Sequence, residues 1–387
     1  MVDKVSESYA GTAEDETAIK MTEHENETEK DETKTHDVEM STENDVASST
    51  EETETAAEIL STEETEEIVN QETTDTQVGE TDSATGITWA YLDGELSVSY
   101  NGTIPQCEQY PWQNYNGTDY IKMVETLVLN EGITGFDHSL IWKMENLKQI
   151  RIPASCVEIR MLTWGFGFTY DLQDIYVADG NEVYSSIDGV LFDAKKETLM
   201  FYPLGKTTQI YTVPDSCVTI NWLCSNQLQT VILAKNTRAI TNCIGGMNLK
   251  TVKLSDSLSD IGGFVFEADE LVINESNPKF SYDNHVLFDK NKTKLYQMMR
   301  AFSQTEYTVP DTVTWIDLAA FCDQNIKLNI LSPEVSFEGN PFGLSTSEKG
   351  TIYVPTAEVK SKIESALSAV NVTEVIVSID PNLDDTT

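Results

Sequence analysis

VLFDAKKETLMFYPLGKTTQIYTVPDSCVTI, residues 190–220, and VLFDKNKTKLYQMMRAFSQTEYTVPDTVTWI, residues 286–316, align without a gap at an offset of 96 residues, the step from Pro214 to Pro310. Both open on VLFD and carry YTVPD near the end. A chain that repeats itself at a fixed offset is built from repeated structural units. From Val124 onward a shorter pattern returns in phase with these stretches: an apolar residue, two others, an apolar residue, one other, an apolar residue. Val124-Leu127-Leu129, Leu147-Ile150-Ile152, Leu172-Ile175-Val177, Leu228-Val231-Leu233 and Leu249-Val252-Leu254 are clear instances. Central residues of successive instances lie 19 to 25 residues apart, except for two steps of 36 that contain the VLFD stretches.

A step of that size with one short strand per turn is the period of a leucine-rich repeat. Alternate residues of a strand face opposite sides, so Ile150 and Ile152 point inward while Gln149 and Arg151 point out. Three inward aliphatics per coil contribute about 5–9 kcal/mol of gross burial, at roughly 1.5–3 each. Ordering some twenty residues costs about 1–2 kcal/mol apiece for the backbone alone. A lone coil cannot fold on that balance, whereas stacked coils share their faces. The two long steps read as a normal coil carrying an extra β-hairpin, with turns at 193–197 and 289–293. These hairpin insertions fall near 183–210 and 279–306, within a solenoid over 121–380.

The flanks differ in kind. Of the formal charge of −40, residues 1–85 hold 27 Asp and Glu against 4 Lys. Such a Thr/Glu-rich segment buries too little apolar surface to offset its ordering entropy and is expected to be a disordered acidic tail, or a stalk holding the folded part away from a surface. Residues 86–120 form an N-terminal β cap: TWAYLDGELSVSY alternates apolar residues about the turn Asp93-Gly94. Trp112 belongs to that cap or is an exposed platform for sugar stacking. At the other end Val359, Ile363 and Leu367 are spaced as one face of a helix, with Thr356 as its N-cap. That helix and a strand over 373–378 close the solenoid, leaving a C-terminal tail at 381–387.

Charge and composition exclude several functions. A strongly acidic chain lacks the Lys and Arg that displace counterions from phosphates, so no nucleic acid partner is expected. No apolar run reaches the length of a membrane span. The start MVDKVSESYAGTAEDET lacks the basic-then-apolar pattern of a secretory leader, leaving either a cytoplasmic chain or one whose leader has been removed. Cys156 and Cys217 occupy the place that Val313 holds in the other copy, and read as small buried apolar groups. Cys224 and Cys243 fall at similar phase in successive coils, which leaves one disulfide open.

His24, His36, His138 and His285 lie far apart, and no metal or other cofactor is expected. The run Asp289-Lys-Asn-Lys-Thr faintly mimics a calcium loop but lacks the sixth-position Gly and the twelfth-position Glu. It reads as a hairpin turn. No GxSxG or Gly-rich phosphate loop occurs.

LKQIRIPASCVEI, YTVPDSCVTI, YTVPDTVTWI and LKTVKLSDSLSDIGGFVF resemble BspA-type leucine-rich repeats, as do the hairpin SSIDGVLFDAKKETLMFYPLGK and the TWAYLDGELSVSYNGT cap. Ala320-Phe321 matches the Ala-Phe place of that family and Ile141-Trp142 occupies it in the first coil. The likeness covers about residues 86–380 and is to surface proteins of gut-dwelling Gram-positive bacteria. It implies a mainly β repeat solenoid with short helical or irregular returns. It also implies a secreted or cell-surface location with the leader removed, adhesion or ligand binding without catalysis, and a host or bacterial surface protein or glycan as partner. A monomer is expected.

On this reading the outward residues of the concave strand face would carry binding: Gln149, Arg151, Asp174, Tyr176, Thr251, Lys253 and Tyr353. A second candidate is the aromatic patch Trp164, Phe166, Phe168 and Tyr170, four aromatics in seven residues that either plug the core or lie exposed. The competing readings are a structural module of a larger surface protein and a β-helix enzyme acting on polysaccharide.

Overall fold

The computed structural model describes residues 77–160, 169–262, 265–322 and 324–383. Residues 1–76, where most of the expected disordered tail falls, lie outside the described residues, as do Trp164, Phe166 and Phe168. The described residues form one compact unit, a stack of coils most of which give a first strand to one side and a second strand to another.

The first strands build three parallel ladders. Glu95–Ser99, Thr126–Leu129, Gln149–Ile152 and Asp174–Val177 form one. Ile210–Thr212, Thr230–Ile232, Thr251–Lys253 and Glu270–Val272 form the next. Glu306–Thr308, Lys327–Asn329, Gly350–Val354 and Val375–Ile379 form the last. Register places Leu96, Leu127, Ile150 and Ile175 in one line, and all four are buried. Tyr211, Val231, Val252 and Leu271 continue this inward row in the middle ladder. The solenoid expected from the 19-to-25-residue period is therefore the observed architecture.

The VLFD strands explain why the ladders are three. Val190, Leu191 and Phe192 are all buried, as are Val286, Leu287 and Phe288, so these strands do not alternate. Leu191 packs into the first of three cores, while Val190 and Phe192 pack into the second. Leu287 packs into the second, and Val286 and Phe288 into the third. Each VLFD strand is a wall with a core on either side, and a wall needs apolar residues on both faces.

The wall is larger than the single hairpin expected. Tyr184–Ile187 pairs with Val190–Asp193, which pairs with Thr198–Phe201; Phe280–Asp283, Val286–Asp289 and Lys294–Met298 repeat the three-stranded meander. The third strand of each meander is itself the ordinary second strand of its coil, parallel to Thr219–Cys224 or to Trp315–Ile316. The extra material is thus the first two strands.

Side chains of the same type make the same bonds at the 96-residue offset. Asn181 Oδ1 accepts from the Val183 and Tyr184 amides, and Asn277 Oδ1 from those of Lys279 and Phe280. Ser185 and Ser281 donate to the Asp193 and Asp289 carbonyls. The Asp of each VLFD closes the turn: Asp193 accepts from the Glu197 and Thr198 amides, and Asp289 from the Thr293 and Lys294 amides and the Thr293 hydroxyl.

One difference has a simple cause. The Ile175 amide bonds the Gly189 carbonyl at 2.9 Å, whereas the equivalent Leu271 amide bonds the Tyr282 hydroxyl at 3.3 Å. In the second copy the matching His285 carbonyl accepts instead from the Met299 amide. Pro203 stands at that place in the first copy and has no N–H to give.

The cap begins earlier than Gly86. Val78–Thr81 adds an antiparallel strand to Thr88–Leu92, inside the stretch assigned to the acidic tail. Its four residues, VGET, show no apolar alternation; backbone pairing places it, with Val78 packed on the core and Glu80 accepting from the Tyr115 hydroxyl. Trp112 is buried and stacks on Tyr110 at 5.0 Å between ring centres, which removes the sugar-platform reading. At the other end Ala357–Ala369 is helical and buries Val359, Ile363 and Leu367, with Thr356 Oγ1 accepting from the Val359 amide.

Candidate binding face

The outward residues of the first strands make two rows in each ladder. In the first ladder Glu95, Thr126, Gln149 and Asp174 are in register, as are Ser97, Val128, Arg151 and Tyr176. Of the candidate binding residues, Gln149, Arg151, Asp174 and Tyr176 are therefore direct neighbours. Thr251 and Lys253 lie in the middle ladder and Tyr353 in the last, so the seven candidates are spread over three ladders.

Their surroundings differ. Arg151 Nε donates to Gln149 Oε1 at 2.9 Å, and its Nη1 lies 3.4 Å from Glu95 Oε2. All three are well solvated, so this pairing contributes at most about 1 kcal/mol and leaves the guanidinium available. Asp174 is held more firmly, with Oδ1 2.9 Å from Lys206 Nζ. A Cβ on Gly189 would come within 2.0 Å of the same oxygen, so Gly189 and its positive φ let Asp174 brace the ladder against the meander turn. Tyr176 is 43% exposed, and Lys253 is exposed with no ion-pair partner among the described residues.

Tyr353 belongs to a polar knot that sequence spacing did not single out. Lys327 Nζ lies 5.2 Å from its ring centre, 2.7 Å from Asp380 and 3.1 Å from Glu306. Asn329 Nδ2 donates to Glu306 Oε1 at 2.6 Å. The hydrogen bond from Lys327 holds the Asp380 carboxyl below its ordinary value, and the bond from Asn329 does the same for Glu306. The partners come from three strands and the residue after the last one, so only register brings them together.

Apolar side chains on the same outward side were also missed. Ile210 is 61% exposed, and Val272 and Ile376 stand out in the same way. Each is an ordinary strand residue by type, and only its parity within the strand marks it as outward. Of the aromatic patch, Tyr170 is 66% exposed, and the other three residues lie outside the described residues. In the Ala-Phe place Ala320 and Phe321 are buried as the motif requires, but in the first coil only Ile141 is; Trp142 is exposed, its ring edge-on to His138.

Several other places with chemically active groups serve the fold. Cys156, Cys217 and Val313 are all buried, and burial pushes both thiols up to about 11, where they are inert. Asp289 Oδ1 accepts from the two turn amides and Oδ2 from the Thr293 hydroxyl. Among the described residues no group of three His, Cys, Asp or Glu is placed to hold a metal ion, and no helix is long and apolar enough to cross a membrane. A cavity of about 480 Å³ opens beside Thr103, Gln106, Asp137, His138 and Arg160 on the second-strand side. There Arg160 is paired with Glu158 at 2.8 Å and Asp137 accepts from the Ser139 amide.

No family model matches the chain, and no curated protein matches it either. Among solved structures it is similar to a leucine-rich repeat protein from Eubacterium ventriosum, at 14% identity and a TM-score of 0.34, over 72% of this chain and 87% of that one. It is also similar to the pneumococcal vaccine antigen PcpA, at 13% and 0.24, over 78% and 98%. A third is a leucine rich cell surface protein from Faecalibacterium prausnitzii, at 13% and 0.34, over 80% and 97%. The repeat architecture is read from this chain's own coils, and these three proteins are what the chain is similar to.

Proposed function

We propose that the chain is a non-catalytic repeat protein of the cell surface or secreted fraction, and that its first-strand face binds a protein or glycan in adhesion. The observation that carries this reading is the character of the outward rows. Arg151, Tyr176, Ile210, Lys253 and Val272 mix charge, one aromatic ring and exposed aliphatics on strands fixed by ladder hydrogen bonds. Rigid backbone lowers the ordering cost of binding, and Tyr and Arg are the side chains that most often carry interface energy. The strongly acidic balance favours partners that are neutral or basic at the contact.

Replacing Arg151, Tyr176 and Lys253 together by Ala tests it, with binding to immobilised host matrix proteins and glycans as the readout. Affinity for the captured partner should fall at least about tenfold, the scale of a single hot-spot residue. Unchanged affinity would discard this face. Turnover of a polysaccharide by the purified chain would discard the non-catalytic reading.

A further inference from the structure

We infer that Cys224 and Cys243 are a redox-active pair that closes to a disulfide, tying two successive coils together. The two strands that carry them, Thr219–Cys224 and Ala239–Gly245, are parallel neighbours with Trp222 opposite Cys243 and Cys224 opposite Gly245. Residues two apart on a strand share a face, so Cys243, Gly245 and Cys224 all project to one side. Gly245 lies between the two cysteines and has no side chain of its own, and the Glu267 side chain stands close over it. A Cβ built there would lie only 3.2 Å from Cys243 Sγ and 2.7 Å from the Glu267 side chain, so the Cys243 side chain leans over Gly245 toward its partner. The neighbouring Cys243 thiol, together with burial, raises the Cys224 thiol well above its ordinary value.

The environment sets the order of events. Cys243 is part-exposed and Cys224 is buried, so an external reagent reaches Cys243 first. The oxidant is a low-molecular-weight disulfide. The Cys243 thiolate attacks one of its sulfurs, forming a mixed disulfide and releasing one small thiolate. Cys224, whose raised thiol makes this the slower step, then loses its proton and attacks the Cys243 sulfur, which expels the second small thiolate. Two protein thiols and one small disulfide become one protein disulfide and two small thiols. The bridge links neighbouring rungs of one ladder, so it fastens the middle of the solenoid against coil-by-coil opening. Cys156 and Cys217 play no part in this, since each donates its S–H to a backbone carbonyl two residues on.

The full chain, incubated with oxidised glutathione, alkylated and digested without reduction, gives the test. We expect a cross-linked peptide joining Cys224 to Cys243, reversed by dithiothreitol. The free-thiol count should drop from six to four. In Cys224→Ser the mixed disulfide on Cys243 should persist unresolved, and in Cys243→Ser Cys224 should remain a free thiol. Because the first measurement is made on the unaltered chain, a poorly folding variant does not obscure it. Alkylation of both cysteines in the oxidised sample would overturn the inference. So would a glutathione adduct that stays on Cys243 of the unaltered chain, or a bridge from Cys224 to any other cysteine.

Discussion

Phe288→Ala and Leu287→Ala, made separately, test whether the VLFD strand is a wall between two cores. The side chains are adjacent in sequence and both are buried, yet Leu287 packs into the middle core and Phe288 into the last. Truncating a buried Phe costs about 3–5 kcal/mol and a buried Leu about 2–5, set by how far the site collapses. Global unfolding midpoints cannot separate the two, because repeat arrays depart from two-state behaviour. Hydrogen exchange read by peptide can. A loss of about 3 kcal/mol raises exchange through local opening by roughly 10²-fold, at a decade per 1.4 kcal/mol. Phe288→Ala should deprotect Lys327–Asn329 and Gly350–Val354 while leaving Thr230–Ile232 and Thr251–Lys253 near their original rates. Leu287→Ala should reverse the pattern. Equal deprotection on both sides in both variants would refute the wall.

Two further outcomes follow from side chains around the second meander. Asp289→Ala removes three hydrogen bonds to a charged acceptor and should lower stability by about 2 kcal/mol, taking account of their exposure. Asp289→Asn, which retains an acceptor oxygen, should cost less than half of that, as read by urea titration; equal costs would mean the turn does not depend on the acceptor. The second concerns pH. Asp317 is buried against Glu338 and 2.9 Å from Lys294 Nζ. Burial, then the neighbouring Glu338 carboxyl, push its carboxyl up to about 7 against the pull of the ammonium. Since the folded value lies above the unfolded one, its stabilisation is complete below about pH 4 and is lost as pH rises through about 7. Compared with Asp317→Asn, the unaltered chain should lose stability between about pH 4 and 7, and parallel curves over that range would show that Asp317 is ionised throughout.

Much of this architecture is legible in the residues. The inward rows follow from period two within strands and a step near twenty between them, and both are local patterns. The meander turn is legible too, because Asp193 and Asp289 sit where a side-chain acceptor is needed. The double burial of VLFD was open to reading from its unbroken apolar run, but a short apolar run has no unique meaning until its neighbours are known. The division into three ladders depends on pairings between strands far apart in sequence, and no spacing rule supplies it. The strand Val78–Thr81 has no apolar pattern at all. Register also hides much of the face, since the Glu306, Lys327, Asn329 and Asp380 cluster exists only once four chain segments lie side by side. Trp142 shows the opposite case, where a motif position expected to fill the core holds an exposed ring.

The proposal that the first-strand face takes the partner is tested most directly by hydroxyl-radical footprinting of the whole chain, free and bound to whichever matrix protein or glycan it captures. Tyr176 on that face and Trp315 on the second-strand side are both accessible aromatic rings in the free chain, 43% and 39% exposed. Binding should protect Tyr176 and leave Trp315 oxidised at its original rate. Protection of Trp315 with Tyr176 unchanged would contradict the proposal.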